Sequence, residues 1–392
     1  MGHGPAVHGW QEVNDQLAEL GKQCGTVVAR QGRPSSVSKV IRMTDTRLIT
    51  HRDVSTAMAR YDDRELAELL EREAVPLGTG IGGASARLAV GGTSVFVKRV
   101  PLTEPELRHP HSTANLFGLP PFCQYGIGSP GFGAWRELAA HTMTTEWVLT
   151  GRFPGFPLLY HWRVLPNAEP APLYEELADI DRAVIFWESA PGVRRRLEAL
   201  AEAPASLTLF LEYFPYNLHQ WLDERVRAGD ADRACALADH GLREAVSFMN
   251  AGGLLHFDAH FDNILTDGHH FYLTDFGLAV STRFDLSEEE QAFYRRHLTF
   301  DRTYTLTYLV NWLAGAFHGV DWPGRRELVR EWAAGERPTG VPGGVATLLS
   351  RHSPLATVLN GFYHDLQSES RKTPYPLEEI RQVAGRHALP LE

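Results

Sequence analysis

The stretch LLHFDAHFDNILTDGHHFYLTDFG, residues 254–277, decides how the rest of the chain is interpreted. It places His256, Asp258 and Asn263 within one short run, and Asp275 then opens the tripeptide Asp-Phe-Gly. Short apolar runs on either side of a central Asp-Gly pair predict two small strands joined by a turn. We expect this loop and hairpin to bring the two carboxylates and the amide together, although they are up to 17 residues apart. The segment therefore predicts a compact polar site.

The pattern His-x-Asp-x-x-x-x-Asn followed by Asp-Phe-Gly resembles the catalytic loop and metal-binding segment of the protein-kinase-like superfamily. The resemblance extends over residues 77–317. It implies that Asp258 faces an attacking hydroxyl and accepts or orients its proton. It also implies that Asn263 and Asp275 hold Mg²⁺ on ATP, because this cation prefers carboxylate and amide oxygens. ATP and Mg²⁺ are the cofactors we expect.

A glycine-rich run contains Gly78, Gly80 and Gly83. A dinucleotide-binding fingerprint would need a helix directly after such a run. Here two strand-like runs follow, separated by a Gly-Gly turn, and the second run ends in Lys98. This order resembles the phosphate-covering loop and strand lysine of kinases. It implies that the glycines admit the phosphates close to the backbone and that Lys98 binds the α- and β-phosphates.

The lysine requires a carboxylate partner, and the helix predicted over residues 132–149 offers Glu137 and Glu146. Nine residues are two and a half helical turns, so these side chains face opposite sides and only one can reach Lys98. We favour Glu137, because enough helix follows it to lie along the sheet. Glu146 stays as the alternative and is otherwise expected in solvent.

Two further segments fit the same resemblance. Residues 207–213 predict a strand, and the backbone of Glu212 to Phe214 would then hydrogen-bond adenine, although a plain core strand explains the same letters. Asp301, at the start of an apolar helix predicted to include residues 304–317, either braces the catalytic-loop backbone or caps that helix.

The match departs from the family at three points. Phe257 replaces an Arg common in regulated protein kinases, so we expect activity without phosphorylation of the segment that follows Asp-Phe-Gly. His260 replaces a common Lys and makes the motif more similar to aminoglycoside and other small-molecule phosphotransferases. It is expected either to contact the transferred phosphate or to be a structural loop residue. The segment 277–301 is short and leaves little room to dock a peptide.

The expected function is an ATP- and Mg²⁺-dependent phosphotransferase with a hydroxyl acceptor. We slightly favour Ser or Thr of a protein or peptide over a small molecule such as an antibiotic or metabolite. A nucleotide-binding pseudokinase scaffold is the second alternative, which the complete set of polar residues makes less attractive.

The expected fold class is α+β and bilobal, with an antiparallel sheet and a helix in the N-lobe and a mainly helical C-lobe. We divide the chain into an extension (1–60), an N-lobe (61–213) and a C-lobe (214–392), with N-lobe insertions at about 101–131 and 168–204. The extension is expected to pack as an added layer, with a helix at 10–20 and a strand at 26–29. The run Arg194-Arg195-Arg196 is expected to be a solvated face.

Composition limits the partners. The chain has 392 residues, with 38 Lys and Arg against 48 Asp and Glu, and its net charge of −10 argues against nucleic-acid binding. No run of 18 apolar residues predicts a membrane span. Three widely spaced cysteines favour a reducing, cytoplasmic location over a disulfide framework. The sequence leaves the oligomeric state open.

Overall fold

The protein is described by a computed structural model over residues 36–126, 128–170 and 172–391, with side chains from residue 46. Its described part combines an antiparallel five-stranded sheet with a larger helical portion, so the fold class is α+β as expected. The helix expected at 10–20 and the strand expected at 26–29 lie outside the described residues.

The five strands lie in the order β1-β2-β3-β5-β4. The turn between β2 and β3 is the expected Gly91-Gly92 pair, and both glycines have positive φ angles, which a tight hairpin turn requires. Lys98 pairs with Leu209 of the neighbouring strand, and this register fixes the position of the lysine along its own strand. The strands are β1 (Val75–Gly80), β2 (Gly83–Val90), β3 (Thr93–Leu102), β4 (Leu159–Pro166) and β5 (Ala205–Glu212).

Two helices precede the sheet, α1 (Ser36–Met58) and α2 (Asp63–Glu73). Helix α1 lies along β4, where His51 Nε2 is 3.1 Å from the Leu159 carbonyl oxygen and Ser55 donates to the Tyr160 carbonyl at 2.7 Å. Residues 36–58 of the extension therefore pack against the edge strand of the sheet.

The two insertions pack against each other beside the sheet. The first includes α3 (Glu104–Arg108) and leads into α4 (Ala134–Leu149), and the second forms α5 (Glu175–Ala178), α6 (Ile180–Phe186) and α7 (Pro191–Ala201). The expectation of a solvated arginine run is wrong for Arg196, which is 3% exposed and donates to Glu106 at 2.8 Å. Because the buried carboxylate of Glu106 is 90 residues away, the sequence around Arg196 does not indicate this ion pair.

After β5 the chain is mostly helical, with five short strands. The helices are α8 (Leu218–Arg227), α9 (Ala231–Ala251), α10 (Glu288–Arg296), α11 (Phe300–His318), α12 (Trp322–Ala333), α13 (Gly343–Ser368) and α14 (Leu377–Arg386). The short strands are β6 (Tyr216–Asn217), β7 (Leu254–Leu255), β8 (Ile264–Thr266), β9 (Phe271–Leu273) and β10 (Val280–Ser281).

One hydrophobic cluster connects the sheet with the helical portion, because Val97 of β3, Phe276 and Leu309 of α11 belong to the same packed core. Burial of such side chains is the main stabilising contribution to folding. None of the helices in the described ranges is long and apolar enough to cross a membrane.

Candidate active site

The polar residues predicted from the segment 254–277 lie in the loop before β8 and next to the hairpin β8–β9. Ile264 pairs with Leu273, so Asn263 and Asp275 lie at the same end of the hairpin. The Asn263 amide nitrogen donates to the Asp258 carbonyl at 2.9 Å and to its carboxylate at 3.2 Å. The local pattern therefore brings Asp258, Asn263 and Asp275 together, as we expected.

Asp301 braces this loop. Its two carboxylate oxygens accept the backbone N–H groups of His256 and Phe257, each at 2.8 Å. Phe257 has a φ of 64°, a left-handed conformation that a bulky side chain rarely adopts, so the brace holds a strained backbone. Of the two roles considered for Asp301, the structure shows bracing, and Thr299 occupies the N-cap position of α11.

Lys98 lies at the centre of a three-membered ion-pair cluster. Its Nζ is 2.7 Å from Glu137 Oε1 and 2.7 Å from Asp275 Oδ1. Glu146 instead points into solvent, with 65% of its side chain exposed. Glu137, which we favoured because enough helix follows it, is therefore the partner of Lys98, and α4 turns it toward β3.

Lys98 stabilises the charge of both carboxylates, although burial, with a smaller contribution from Asp275, still raises the pKa of Glu137 to about 7. Burial by itself lowers the pKa of Lys98, but Asp275 and Glu137 more than offset this effect and hold the ammonium in its charged form. Burial raises the pKa of Asp275, yet contact with Lys98 outweighs it and lowers the value to about 2. Asp275 is 38% exposed, whereas Lys98 and Glu137 are almost fully buried. Negative charge therefore remains accessible at Asp275.

The glycine-rich hairpin covers the lysine, but its individual glycines differ in role. A Cβ on Gly82 would lie 2.9 Å from Lys98 Nζ, so this glycine lies directly over the ammonium. Gly83 has a φ of 119°, and its Cβ would meet the Arg99 carbonyl oxygen at 2.1 Å. Gly78 and Gly80 border open space. Gly82 lies within the same run but was not among the three glycines predicted for the site.

His260 carries charge next to Asp258. Its Nε2 is 3.8 Å from Asp258 Oδ2, and its Nδ1 is 3.6 Å from Asp262 Oδ2. Burial lowers the pKa of His260, but these two carboxylates raise it to about 9, so the imidazole is positive at neutral pH. Burial raises the pKa of Asp258 to about 6, which the charge on His260 opposes. The Asp262 amide nitrogen lies 3.3 Å from His260 Nδ1, a contact that is a hydrogen bond only when the ring is neutral, because a charged imidazole has no free acceptor.

The segment expected to contact adenine begins at the last residue of β5. The Glu212 amide N–H donates to the Leu158 carbonyl at 2.8 Å, so this one donor is already used within the sheet. The contact of the backbone of residues 212–214 with adenine stays a prediction. The Phe214 amide N–H has no acceptor among the described residues, and the Phe214 ring stacks on Tyr272 at 4.1 Å.

Arg47 of α1 holds this segment in place through hydrogen bonds, and it was not among the residues predicted for the site. Its guanidinium donates to the Glu212 carboxylate at 3.0 and 2.7 Å and to the Pro154 and Phe156 carbonyls at 2.8 and 2.6 Å. It also lies 5.3 Å from the centre of the Tyr272 ring. Arg47 and Glu212 are 165 residues apart, so no local sequence pattern predicts that they form an ion pair.

The first insertion also reaches the site. A Cβ on Gly126 would lie 3.4 Å from Asp258 Oδ1, and Gly126 has a φ of 74°, which favours glycine. The preceding Tyr125 is anchored by its hydroxyl, 2.7 Å from His297 Nε2. The backbone of this insertion thus lies beside Asp258, a position that the sequence alone did not indicate.

Asn263 and Asp275 fit a magnesium ion held largely by its phosphate ligands. The Asn263 side-chain nitrogen donates both of its hydrogen bonds to Asp258, so the amide oxygen of Asn263 is available to a ligand. Asp275 binds Lys98 through one carboxylate oxygen, Oδ1, and its other oxygen is not bonded to the lysine. Within the described ranges no group of three or more His, Cys, Asp and Glu side chains forms a dedicated metal cage. Mg²⁺ on nucleotide phosphates ordinarily uses only one or two protein carboxylates.

Comparison of the chain with protein-family models and with curated proteins found no match. The arrangement described above is therefore interpreted from its own geometry. Chemically, it offers a buried ammonium, an accessible carboxylate–amide pair and a second carboxylate with a raised pKa near a positive imidazole.

Proposed function

We propose that the protein is an ATP- and Mg²⁺-dependent phosphotransferase that moves the γ-phosphoryl group of ATP to an alcohol hydroxyl. The observation that carries this proposal is the placement of Lys98 Nζ at 2.7 Å from both Glu137 and Asp275, with the Asp258 loop braced alongside. Phosphoryl transfer depends on positioning and on charge stabilisation, and these groups supply both.

The architecture supports a bilobal kinase-like fold as part of the same proposal. A five-stranded antiparallel sheet with the Glu137 helix precedes a mainly helical portion, and the chain passes between them near residue 214. The glycine hairpin and Lys98 belong to the sheet, whereas Asp258, Asn263 and Asp275 belong to the helical portion. The reacting groups would thus meet in the cleft between two lobes.

In the proposed mechanism Lys98 binds the α- and β-phosphates of ATP, and Glu137 holds the ammonium in place. Asn263 and Asp275 would hold Mg²⁺, which supplies charge neutralisation on the phosphates. Asp258 orients the acceptor hydroxyl and accepts its proton as the acceptor oxygen bonds to the γ-phosphorus and the bond to the ADP oxygen breaks. His260 places a positive charge where the transferred group carries negative charge.

We also propose that phosphorylation of the segment 277–301 is not needed for activity. Phe257 is 1% exposed and stacks between Phe293 at 5.4 Å and Phe300 at 4.7 Å. Helix α10 in this segment is already held by the 2.7 Å ion pair of Arg136 with Glu290. We expect treatment with a phosphatase to leave turnover unchanged, and a loss of turnover would contradict this part of the proposal.

The first experiment follows γ-labelled ATP and Mg²⁺ in a lysate of the source organism separated by size. Wild type is compared with Asp275→Asn and with Asp53→Asn, an exposed aspartate on α1 that serves as the matched control. We expect label transfer by wild type and by Asp53→Asn, but not by Asp275→Asn. Label in the macromolecular fraction indicates a protein or peptide acceptor, and label in the small-molecule fraction indicates a metabolite. ATP binding without any transfer, or cellular function that survives Asp275→Asn, would favour the scaffold alternative.

A reducing, cytoplasmic location is proposed with this function. Cys123 and Cys235 are both buried and unbonded in the described part of the chain. Such cysteines are ordinary in proteins that stay reduced.

A further inference from the structure

A cavity of about 230 Å³ lies among four helices of the helical portion, α8, α11, α12 and α13. Helix α11 contributes three aromatic side chains to its wall, Tyr304, Tyr308 and Trp312. These residues are four positions apart and therefore lie on one face of the helix. The residues assigned to phosphoryl transfer do not line the cavity, so the proposed mechanism gives it no role.

One buried hydroxyl at this cavity lacks a hydrogen bond. Thr307 lines the cavity and is 5% exposed, and its hydroxyl has no partner among the described residues. Two other threonines of the same helix differ, because the hydroxyls of Thr303 and Thr305 each donate to the carbonyl four residues earlier, at 2.8 and 2.9 Å. A buried hydroxyl without a partner destabilises a protein, so the cavity is suited to a molecule that supplies the missing bond.

A pair of side-chain amides lines the same space. Asn311 of α11 and Asn360 of α13 exchange two hydrogen bonds of 2.8 and 3.0 Å, which fix both side chains. Each amide nitrogen carries a second N–H, and each amide oxygen has a second lone pair. The pair therefore offers fixed donors and acceptors to a polar substituent of a ligand.

The charged groups of the wall favour a neutral occupant. The cavity is lined by one acid, Asp223, and one guanidinium, Arg325. Asp223 is paired with Arg227 at 2.6 Å. Arg325 donates to the Val320 carbonyl at 3.0 Å, and its guanidinium lies against Gly315. Opposite charges on one wall favour neither an anion nor a cation.

The volume of the cavity favours a single small ring. Pockets for drug-sized ligands have volumes of about 300–1,000 Å³, and this cavity is smaller. Aromatic side chains bind a flat ring by stacking or by edge contacts. A few placed amide and hydroxyl groups then fix the orientation of such a ring.

The cavity adjoins the loop that holds Asp258. The centre of the Tyr308 ring is 4.7 Å from that of Phe261 and 6.2 Å from that of His260. Phe261 is fully buried and begins the short helical turn that ends at Asn263. These rings separate the cavity from Asp258, so a molecule bound there is not the phosphoryl acceptor. Its contact with the catalytic loop runs through Tyr308.

We propose that this cavity binds a small, neutral molecule with one ring and polar substituents, and that the bound molecule restricts the movement of the catalytic loop. The ring packs against Tyr308 and Trp312, and the amide pair and Thr307 hydrogen-bond its substituents. By holding Tyr308 against Phe261, the ligand stabilises the loop. The ligand is not consumed, so the proposal does not depend on the phosphotransferase function.

The binding test uses benzamide as the probe, measured by ligand-observed NMR without nucleotide, with benzoate and benzylammonium as charged comparisons. Ala316 is exposed at the cavity and Ala236 is exposed on α9, so Ala316→Phe narrows the cavity and Ala236→Phe is its matched control. We expect benzamide to bind wild type at least tenfold more tightly than either charged ring. Ala316→Phe should weaken benzamide binding at least tenfold, and Ala236→Phe should leave it unchanged. No binding of benzamide to wild type, tighter binding of a charged ring, or equal binding by Ala316→Phe would overturn the proposal.

A second variant tests the unpartnered hydroxyl. Thr307→Val keeps the shape of the side chain and removes only the group that lacks a partner in the free protein. We expect at least fivefold weaker benzamide binding, with a midpoint of denaturant unfolding equal to or above that of wild type. Thr347→Val, at an exposed threonine of α13, is the control and should change neither quantity. Unchanged binding together with a lower midpoint would show that the Thr307 hydroxyl serves the fold and would overturn its assignment to a ligand.

Hydrogen exchange followed by mass spectrometry tests the effect on the loop, again without nucleotide. We expect saturating benzamide to slow exchange in the segment 254–266 at least threefold in wild type, but not in Ala316→Phe. Strand β4 is the reference segment and should exchange at the same rate with and without benzamide. Binding that leaves exchange in 254–266 unchanged, or that slows β4 equally, would overturn the stabilisation of the loop.

Discussion

Two buried ion-pair clusters in this protein have the same kinds of groups but different surroundings. In the insertions, Glu106 accepts hydrogen bonds from Arg196, from both donors of Thr103, and from the Ala134 amide that opens α4. Both charged side chains are at most 3% exposed. In the second cluster, at the proposed cleft, the Lys98 and Glu137 side chains are 8% and 2% exposed, but the Asp275 side chain remains 38% exposed.

The comparison distinguishes an ion pair that only stabilises the fold from an ion pair that can also bind a ligand. Every oxygen of Glu106 is committed to the protein, so the insertion cluster has no capacity left for a ligand. The cleft cluster keeps an accessible carboxylate beside a fixed ammonium, an arrangement suited to phosphate and a divalent cation. Loss of a cleft residue should therefore affect turnover, and loss of an insertion residue should affect stability.

The largest expected effect is that of Asp258→Ala. Removing the proton acceptor should lower turnover by about 10²–10⁴-fold, while ATP affinity stays near that of wild type. The measurements are labelled-phosphate transfer and calorimetric titration with ATP. Lys98→Ala is the comparison variant, because it should weaken nucleotide binding and turnover together. An equal loss of ATP affinity in both variants would contradict the roles assigned here.

The next largest effect concerns the insertion cluster. Glu106→Ala leaves Arg196 buried without its partner and should lower the free energy of unfolding by roughly 3–5 kcal/mol. Glu104→Ala, two residues away in the same helix, removes only an exposed pair with Arg108 and should change stability by less than about 0.5 kcal/mol. Denaturant unfolding of both variants tests the comparison.

The same variant has a pH signature. Burial raises the pKa of Glu106, but Arg196 and the Thr103 bonds outweigh burial and hold the pKa below its usual value of 4.5. Its contribution to stability is therefore present above about pH 4.5 and is lost as the pH falls through the lower folded value. The stability gap between wild type and Glu106→Ala should narrow in acid, and a constant gap would show that the charge is not what stabilises.

Arg47→Ala should have a smaller, nucleotide-specific effect that sharpens the comparison. The clamp on Glu212 is structural in its contacts but lies at the proposed adenine side. We expect about a tenfold rise in KM for ATP with little change in kcat, since a hydrogen bond to a charged group contributes roughly 1.5–3 kcal/mol. Arg47→Lys should recover only part of the affinity, because lysine lacks the bidentate fork. Arg52→Ala, on the exposed side of α1, is the control, and identical kinetics in both alanine variants would remove Arg47 from the nucleotide site.

The smallest expected effect is a shift in a pH profile. The acidic limb of kcat/KM should lie near pH 6, where Asp258 becomes protonated as the pH falls, and the alkaline limb near pH 9, where His260 loses its charge. His260→Gln removes a positive neighbour that lowers the pKa of Asp258, so the acidic limb should move to higher pH. A limb that stays in place would mean that His260 only shapes the loop.

Several features followed from local sequence because they depend on neighbours along the chain. The hairpin turn at Gly91-Gly92 and the loop that holds Asp258 with Asn263 depend on residues close together in the sequence. The helical phase likewise shows that Glu137 and Glu146 cannot both reach Lys98. In a helix or a strand the backbone geometry fixes the side to which each side chain points, so short patterns of this kind can be interpreted from the sequence.

The failures have the opposite character. Arg196 appears in a run of three arginines, and only the packed insertions make it the buried partner of Glu106. The bond of Arg47 to Glu212 was not predicted either, because the two residues are 165 positions apart. In each case a contact between distant segments decided the position of a charged side chain.

Local sequence patterns were enough to predict the α+β class and the polar residues around Lys98, and to favour Glu137 over Glu146 as its partner. Only the packed chain placed Arg47 on Glu212 and Gly126 beside Asp258, and brought α11 and α13 together around an aromatic cavity. The physical reason is that periodicity and turn chemistry act over a few residues, whereas burial and charge pairing are settled by whichever distant groups the packed chain brings within a few ångströms.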